Sequence, residues 1–153
     1  MAVSFECRTM VGAPVEAVFD LSLDVDAHLR SMRRSGERAV AGVTSGPMNL
    51  GDQVTWKARH FAIPFTMTSK IVELERPTRF VDRQVRGPFR RFRHEHRFEP
   101  AGTGCVMIDR VEFEAPLGPV GRVVERVVLR SYMQKLIAQR NRDLADTAES
   151  AHG

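Results

Sequence analysis

The side chains of this chain best suited to chemistry lie in RGPFRRFRHEHRFEP, residues 86–100, where His94 and His96 stand two positions apart between Phe92 and Phe98. In an extended segment alternate side chains share a face, so both imidazoles stand with the phenylalanines, and Arg91, Arg93, Glu95 and Arg97 take the other side. The aromatic pair marks the inner face. An imidazole titrating near ~6.5 can take or give a proton around neutrality, most readily when a carboxylate orients it. Asp109 is the candidate partner: alternation in CVMIDRVEFEAP sends it inward with Cys105, Met107, Val111 and Phe113, while Arg110, Glu112 and Glu114 point outward. His94, His96 and Asp109 are therefore the catalytic candidates.

Pairing between these two segments turns on PAGTG, and matched inner faces leave two registers: His94 opposite Asp109, or His96 opposite it. On the other side RFVDRQVRGPF turns at Gly87 and Pro88. One register there places Asp82 opposite His94 and Gln84 opposite Phe92, with Phe80 also inward. The alternative sends Val81 and Val85 inward instead. The first choice creates a polar island of Asp82, Gln84, His94, His96 and Asp109 among Trp56, Phe65, Met67, Phe92, Met107 and Phe113.

Burying such groups costs several kcal/mol unless they pair with one another or line a wetted cavity. The H-x-H spacing puts two imidazoles on one side of a strand, and Asp109 would complete three metal ligands. Short patterns of this kind are weak alone, and His60 lies in a turn-like stretch, so no metal and no cofactor is expected. No nucleophile of obvious character shares these strands, which argues against a covalent mechanism.

The remainder of the 153 residues must position this island. Hydrophobic residues at 42% and charged residues at 27% place the chain among soluble globular proteins rather than disordered or fibrous ones. Its net charge of +4 is carried mostly by arginines spread along strands and a helix among Glu and Asp, a solvated surface rather than a nucleic-acid face. Glu6 and Arg8 interrupt any signal core, and no later run approaches the ~20 apolar residues of a membrane span. Cys7 and Cys105 have neither zinc-knuckle nor redox spacing and read as buried thiols. The expectation is a cytoplasmic monomer or homodimer built as a single domain over 1–153.

VSFECRTMV alternates as a half-buried strand. Pro14 then opens a helix carrying Val15, Val18, Phe19 and Ser22, and a second short helix spans about Ala27 to Met32. From Glu37 onward period two returns, and the breaks at SGPMNLGD, RHFAIP, ERPT, RGPF and EPAGTG leave room for six further strands. After Pro116, Gly118, Pro119 and Gly121, residues Val120, Val123, Val124, Val127, Val128, Met133, Leu136, Ile137 and Leu144 repeat at helical spacing. Arg122, Glu125, Arg126, Arg130, Gln134 and Arg140 form the polar side of that helix, and residues 145–153 read as a loose tail. The fold class is α+β: a curved seven-stranded antiparallel sheet wrapped around a long C-terminal helix, with two short helices between the first two strands.

That arrangement resembles the SRPBCC superfamily (START, polyketide cyclase/dehydrase, helix-grip), and in particular its bacterial cyclase/dehydrase-like branch. The likeness runs from Val3 to about Leu144 and is carried by LGDQVTWKARHF, RPTRFVDRQVRGPFRRFRHEHRFEP, MIDRVEFEAPLGPVG and the terminal helix. It implies a cavity for a lipid, quinone, polyketide or similar apolar or amphipathic molecule, of roughly 300–1,000 Å³ if typical. The expected lining is Trp56, Phe65, Met67, Asp82, Gln84, Phe92, His94, His96, Met107 and Asp109, with Val124 and Val128 from the helix. Three functions are consistent with this: binding of a small hydrophobic ligand, a metal-free cyclase or dehydratase using a His–Asp pair, or a protein-interaction domain in which the polar island only satisfies itself.

Overall fold

A computed structural model describes residues 3–60, 62–115 and 128–152. The chain runs β1 (Val3–Val11), α1 (Val15–Ser22), α2 (Val25–Ser31), a short 3-10 turn (Arg33–Ser35), β2 (Arg38–Gly42), β3 (Gln53–His60), β4 (Ile63–Glu75), β5 (Arg79–Arg86), β6 (Arg91–Ala101), β7 (Gly104–Glu114) and α3 (Arg130–His152). All seven strands form one antiparallel sheet in the order β1-β7-β6-β5-β4-β3-β2. This is the helix-grip arrangement that alternation followed by helical spacing predicts.

Two apolar clusters fill the concave side. Phe19 of α1 meets Phe80 and Phe98 edge-on at centroid distances of 5.7 and 5.2 Å and anchors one cluster, which also takes Leu144, Ala145 and Ala148 of α3. Phe5, Phe92, Val111, Phe113 and Ile137 form the other. Edge-to-face rings of this kind add to the burial of their area.

The buried stripe of α3 is Ile137, Arg140, Asn141, Leu144, Ala145 and Ala148, a three-and-four repeat that runs through the supposed tail. Residues 145–152 are therefore helical, not loose. Small alanines let the helix approach the sheet, and the Glu149 carboxylate accepts a hydrogen bond from the backbone N–H of Gly12 at 2.8 Å. Arg140 is also corrected: it lies on the buried face instead of the solvent face. Residues 116–127, including the expected start near Pro119, lie outside the described residues.

The β6–β7 register is the second of the two sequence alternatives. His96 faces Asp109, His94 faces Val111, and Ala101 pairs with Gly104. Only Gly102 and Thr103 are left for the turn, and Gly102 alone takes a positive φ, 59°, as the first central residue of a type II′ turn must. On the other side Asp82 faces His94 and Phe80 faces His96.

Candidate functional site

The register places the two histidines one after the other on the inner face of β6, with Phe80 beside them on β5. Their rings stack at 3.7 Å and 17°, and Phe80 stacks on His96 at 4.0 Å and 14°. Each imidazole then reaches diagonally rather than across. His94 Nε2 donates to Asp109 Oδ1 at 2.7 Å, and His96 Nε2 donates to Asp82 Oδ2 at 2.7 Å. One histidine is thereby braced from β7 and the other from β5.

Asp109 is only 2% exposed and collects further donors from α3. Asn141 Nδ2 donates to its Oδ2 at 2.5 Å and Arg140 Nη1 to its Oδ1 at 3.4 Å; Arg140 Nη1 also donates to Asn141 Oδ1 at 3.0 Å. Burial acts to raise the Asp109 pKa, but the hydrogen bond from His94 and the electrostatic influence of His94 and Arg140 outweigh it and hold the carboxyl far below its usual range. Asp82, whose side chain is 19% exposed, follows the same pattern: burial opposes ionisation, and the hydrogen bond with His96 overcomes it. Burial and the nearby His94 push His96 down to about 4, although Asp82 works in the opposite direction. At neutral pH His96 is uncharged, and it keeps Asp82 ionised by donating Nε2–H rather than by carrying a charge.

A cavity of about 200 Å³ opens between the sheet and α3. It is lined by Trp56, Phe65, Met67, Asp82, Phe92, His94 and His96 from the strands, as alternation places them, and by Met133, Leu136 and Ile137 from the helix. The volume falls below the expected range because Met67, Phe89, Leu129 and Met133 pack inward against the second apolar cluster.

Four expected lining residues sit elsewhere, and a fifth lies outside the described residues. Gln84 closes the β5–β6 turn: its Nε2 donates to Phe89 O at 2.7 Å and its Oε1 accepts from Phe89 N at 3.2 Å. Met107 faces inward but is covered by α1, with Ser22 Oγ 3.9 Å from its sulfur. Asp109 lies behind the histidines, beneath Asn141. Val128 is 45% exposed. Val124 is the one that the described residues do not include.

Alternation in single strands could not reveal the remaining polar lining. Arg140 contributes from α3, and His28, Glu37, His60 and Tyr132 also line the cavity. His28 Nε2 and Glu37 Oε1 are 2.5 Å apart, and His60 Nδ1 and the Tyr132 hydroxyl 2.6 Å apart. His60 is drawn into the wall at the end of β3 rather than left in a turn, and burial lowers its pKa. For Arg140 and Asn141 a signal is present in the sequence: both fall at helical spacing between Ile137 and Leu144.

Asp82, His94 and His96 have ligating atoms within 4.8 Å of one another, spacing that would suit a metal ion, with Asp82 rather than Asp109 as the carboxylate. The chemistry of the set opposes this. Both Nε2 atoms already bond carboxylates, and the Arg140 guanidinium acts electrostatically on Asp82 and His96 in the sense that repels a cation.

A sheet gripping a helix over a partly open, mostly apolar cavity defines a class of small-molecule-binding folds. The family described as polyketide cyclase/dehydrase and lipid transport matches residues 2–149, and the chain belongs to that family, within the SRPBCC superfamily. None of the curated proteins matches it. Among solved structures it is similar to TTHA0849 from Thermus thermophilus, at 16% identity and a TM-score of 0.81 over 99% of this chain and 100% of that one. Norcoclaurine synthase of Thalictrum flavumn gives 11% identity and a TM-score of 0.74 over 100% and 98%. The di-domain ARO/CYC StfQ of the steffimycin biosynthetic pathway gives 17% and 0.73 over 100% of this chain and 53% of that one. At these identities the likeness is one of fold.

Proposed function

We propose that this protein binds a small hydrophobic or amphipathic molecule in the cavity between sheet and α3. The observation that carries the reading is the cavity itself: about 200 Å³ of space walled by Trp56, Phe65, Met67, Phe92 and Ile137, with polar groups converging at Asp82, His94, His96 and Arg140. A molecule with an apolar body and one polar end matches that distribution. No described helix is long and apolar enough to cross a membrane. The unlinked cysteines Cys7 and Cys105 suit a reducing compartment, and we place the protein in the cytoplasm.

Ala58 lines the cavity between Trp56 and His60, so Ala58→Phe puts a ring where the ligand would lie. Wild-type protein is expected to bind a neutral naphthalene-sized fluorophore and to carry a small molecule from the expression host in native mass spectra. The variant should lose both while keeping its fold by circular dichroism. If neither signal is present in wild type, or if Ala58→Phe changes neither, ligand binding is the wrong reading.

One observation favours an enzyme as the second reading: His94 lines the cavity and is held by Asp109 at 2.7 Å, the geometry of an oriented acid or base. In a cyclase or dehydratase His94 would touch substrate and Asp109 would position it. Turnover lost in His94→Phe with binding retained would select this reading.

A further inference from the structure

The outer side of the sheet divides into two halves of different electrostatic character. Ala58 and His60 of β3, Ser69 and Ile71 of β4 and Asp82 of β5 line the cavity, so their strand neighbours Lys57, Arg59, Lys70 and Arg83 stand on the convex side. Register adds two more: Arg38 lies opposite Lys57 and Arg86 opposite Thr68, and directly opposed residues share a face. Lys70 lies opposite Arg83 in the same way. Two cross-strand pairs therefore set like charges directly against each other, an arrangement that opposes folding. The positions among them, Thr55, Thr66 and Thr68, are polar and uncharged.

The other half of the convex side is neutralised. Arg79 is bound to Glu73 and Glu95, Arg93 to Glu73 and Arg97 to Glu95, and Arg93 also lies opposite Glu112. Among the described residues none of Arg38, Lys57, Arg59, Lys70, Arg83 and Arg86 stands in an ion pair. The expected interspersion of arginines with Glu and Asp thus holds on β6 and β7 and fails on β2 to β5, where six cations share one face. Val85, the extra residue of a bulge between Gln84 and Arg86, and Ile63, at the tip of the β3–β4 hairpin, are 44% and 55% exposed at one end of this face.

We infer that the convex face of β2–β5 docks on an anionic lipid bilayer. Charge complementarity selects an anionic partner, because self-repelling cations that weaken the sheet are relieved by a surface rich in negative headgroups. Shape and chemistry select the bilayer. A convex sheet meets a cylindrical duplex along little more than a line, and the threonines between the charges offer no aromatic platform for unpaired bases. A fluid membrane conforms to such a face, and the exposed Val85 and Ile63 at its end supply the apolar contact that accompanies a basic patch in peripheral binding. The inference stands independently of what the cavity holds.

The test is cosedimentation of the intact protein with vesicles of phosphatidylcholine alone or with about 30% phosphatidylserine. Wild type is expected to bind only the anionic vesicles and to be released as salt rises from about 0.1 to 0.5 M. Each cation removed from the face should weaken binding about fivefold, so Lys57→Gln with Arg83→Gln should lose about 25-fold. Each of these changes relieves one like-charge pair, so the urea midpoint should hold or rise, whereas side chains with a merely structural role would lower it. Lys135→Gln with Arg142→Gln removes the same charge from exposed positions of α3, on the far side of the sheet, and should leave vesicle binding unchanged. Equal binding to both vesicle types, equal losses in the two double variants, binding that survives high salt, or tighter binding to a DNA duplex of roughly 20 base pairs than to anionic vesicles at the same salt overturns the inference. The cavity reading stands whichever result is obtained.

Discussion

Asp109→Ala is expected to cost about 3–5 kcal/mol of folding stability, seen as a large fall in the urea midpoint with the slope unchanged. The magnitude comes from what the substitution leaves behind. Asp109 accepts from His94, Asn141 and Arg140, and its removal strands the Arg140 guanidinium, itself 3% exposed, without its carboxylate. Asp109→Asn preserves the shape and one acceptor oxygen, so it should cost less, about 1–3 kcal/mol. A loss below about 1 kcal/mol for the alanine variant would mean that water already enters the cluster and the charges are not held dry.

Stability should also fall by about 3 kcal/mol as pH drops from 6.5 to 4, because the His96 pKa is lowered from 6.5 to about 4. The unfolded chain protonates this ring near its ordinary value, and the folded chain only near the lower one. Stabilisation by the neutral, buried ring is therefore complete above the first value and lost on descending to the second. His60, also lowered by burial, adds a contribution of the same sign. Below the ordinary carboxylate range Asp82 and Asp109 extend the loss, since both are held ionised by His94, His96 and Arg140. Urea midpoints measured across this range should show the slope, and His96→Gln should flatten its upper part while leaving the acid limb in place. A level profile between neutrality and about pH 4.5 in wild type would contradict a dry, uncharged His96.

Most of the sheet is legible in the sequence because period two and turn residues are local signals: Val3–Val11 and Arg91–Ala101 alternate visibly, and Pro and Gly mark their ends. The inward direction of His94 and His96 follows from Phe92 and Phe98 alone. Register is harder, since PAGTG admits two turns with Gly102 central in both, and the choice shows only in the pairing of Ala101 with Gly104. Arg140 is misplaced when its charge is weighed above its spacing. Its spacing marks the buried face, but the carboxylate it pairs with lies more than thirty positions away, and no local pattern names that partner. His28, Glu37, His60 and Tyr132 come from separate parts of the chain and meet only when the sheet curves. The closing alanines resemble a tail because they are small, the same property that lets the last turns of α3 lie close to the sheet.

The stack of Phe80, His96 and His94 has a consequence for how a ligand would be received. Each imidazole is pinned twice, by a ring on its face and a carboxylate at its edge, so neither can rotate without breaking a 2.7 Å contact and displacing its neighbour. The orientational entropy of the polar end is thus surrendered during folding rather than at the moment of association. A ligand arriving there meets donors and acceptors already fixed, and the side-chain freedom it must still suppress lies in the methionines, Met67 and Met133, at the apolar end.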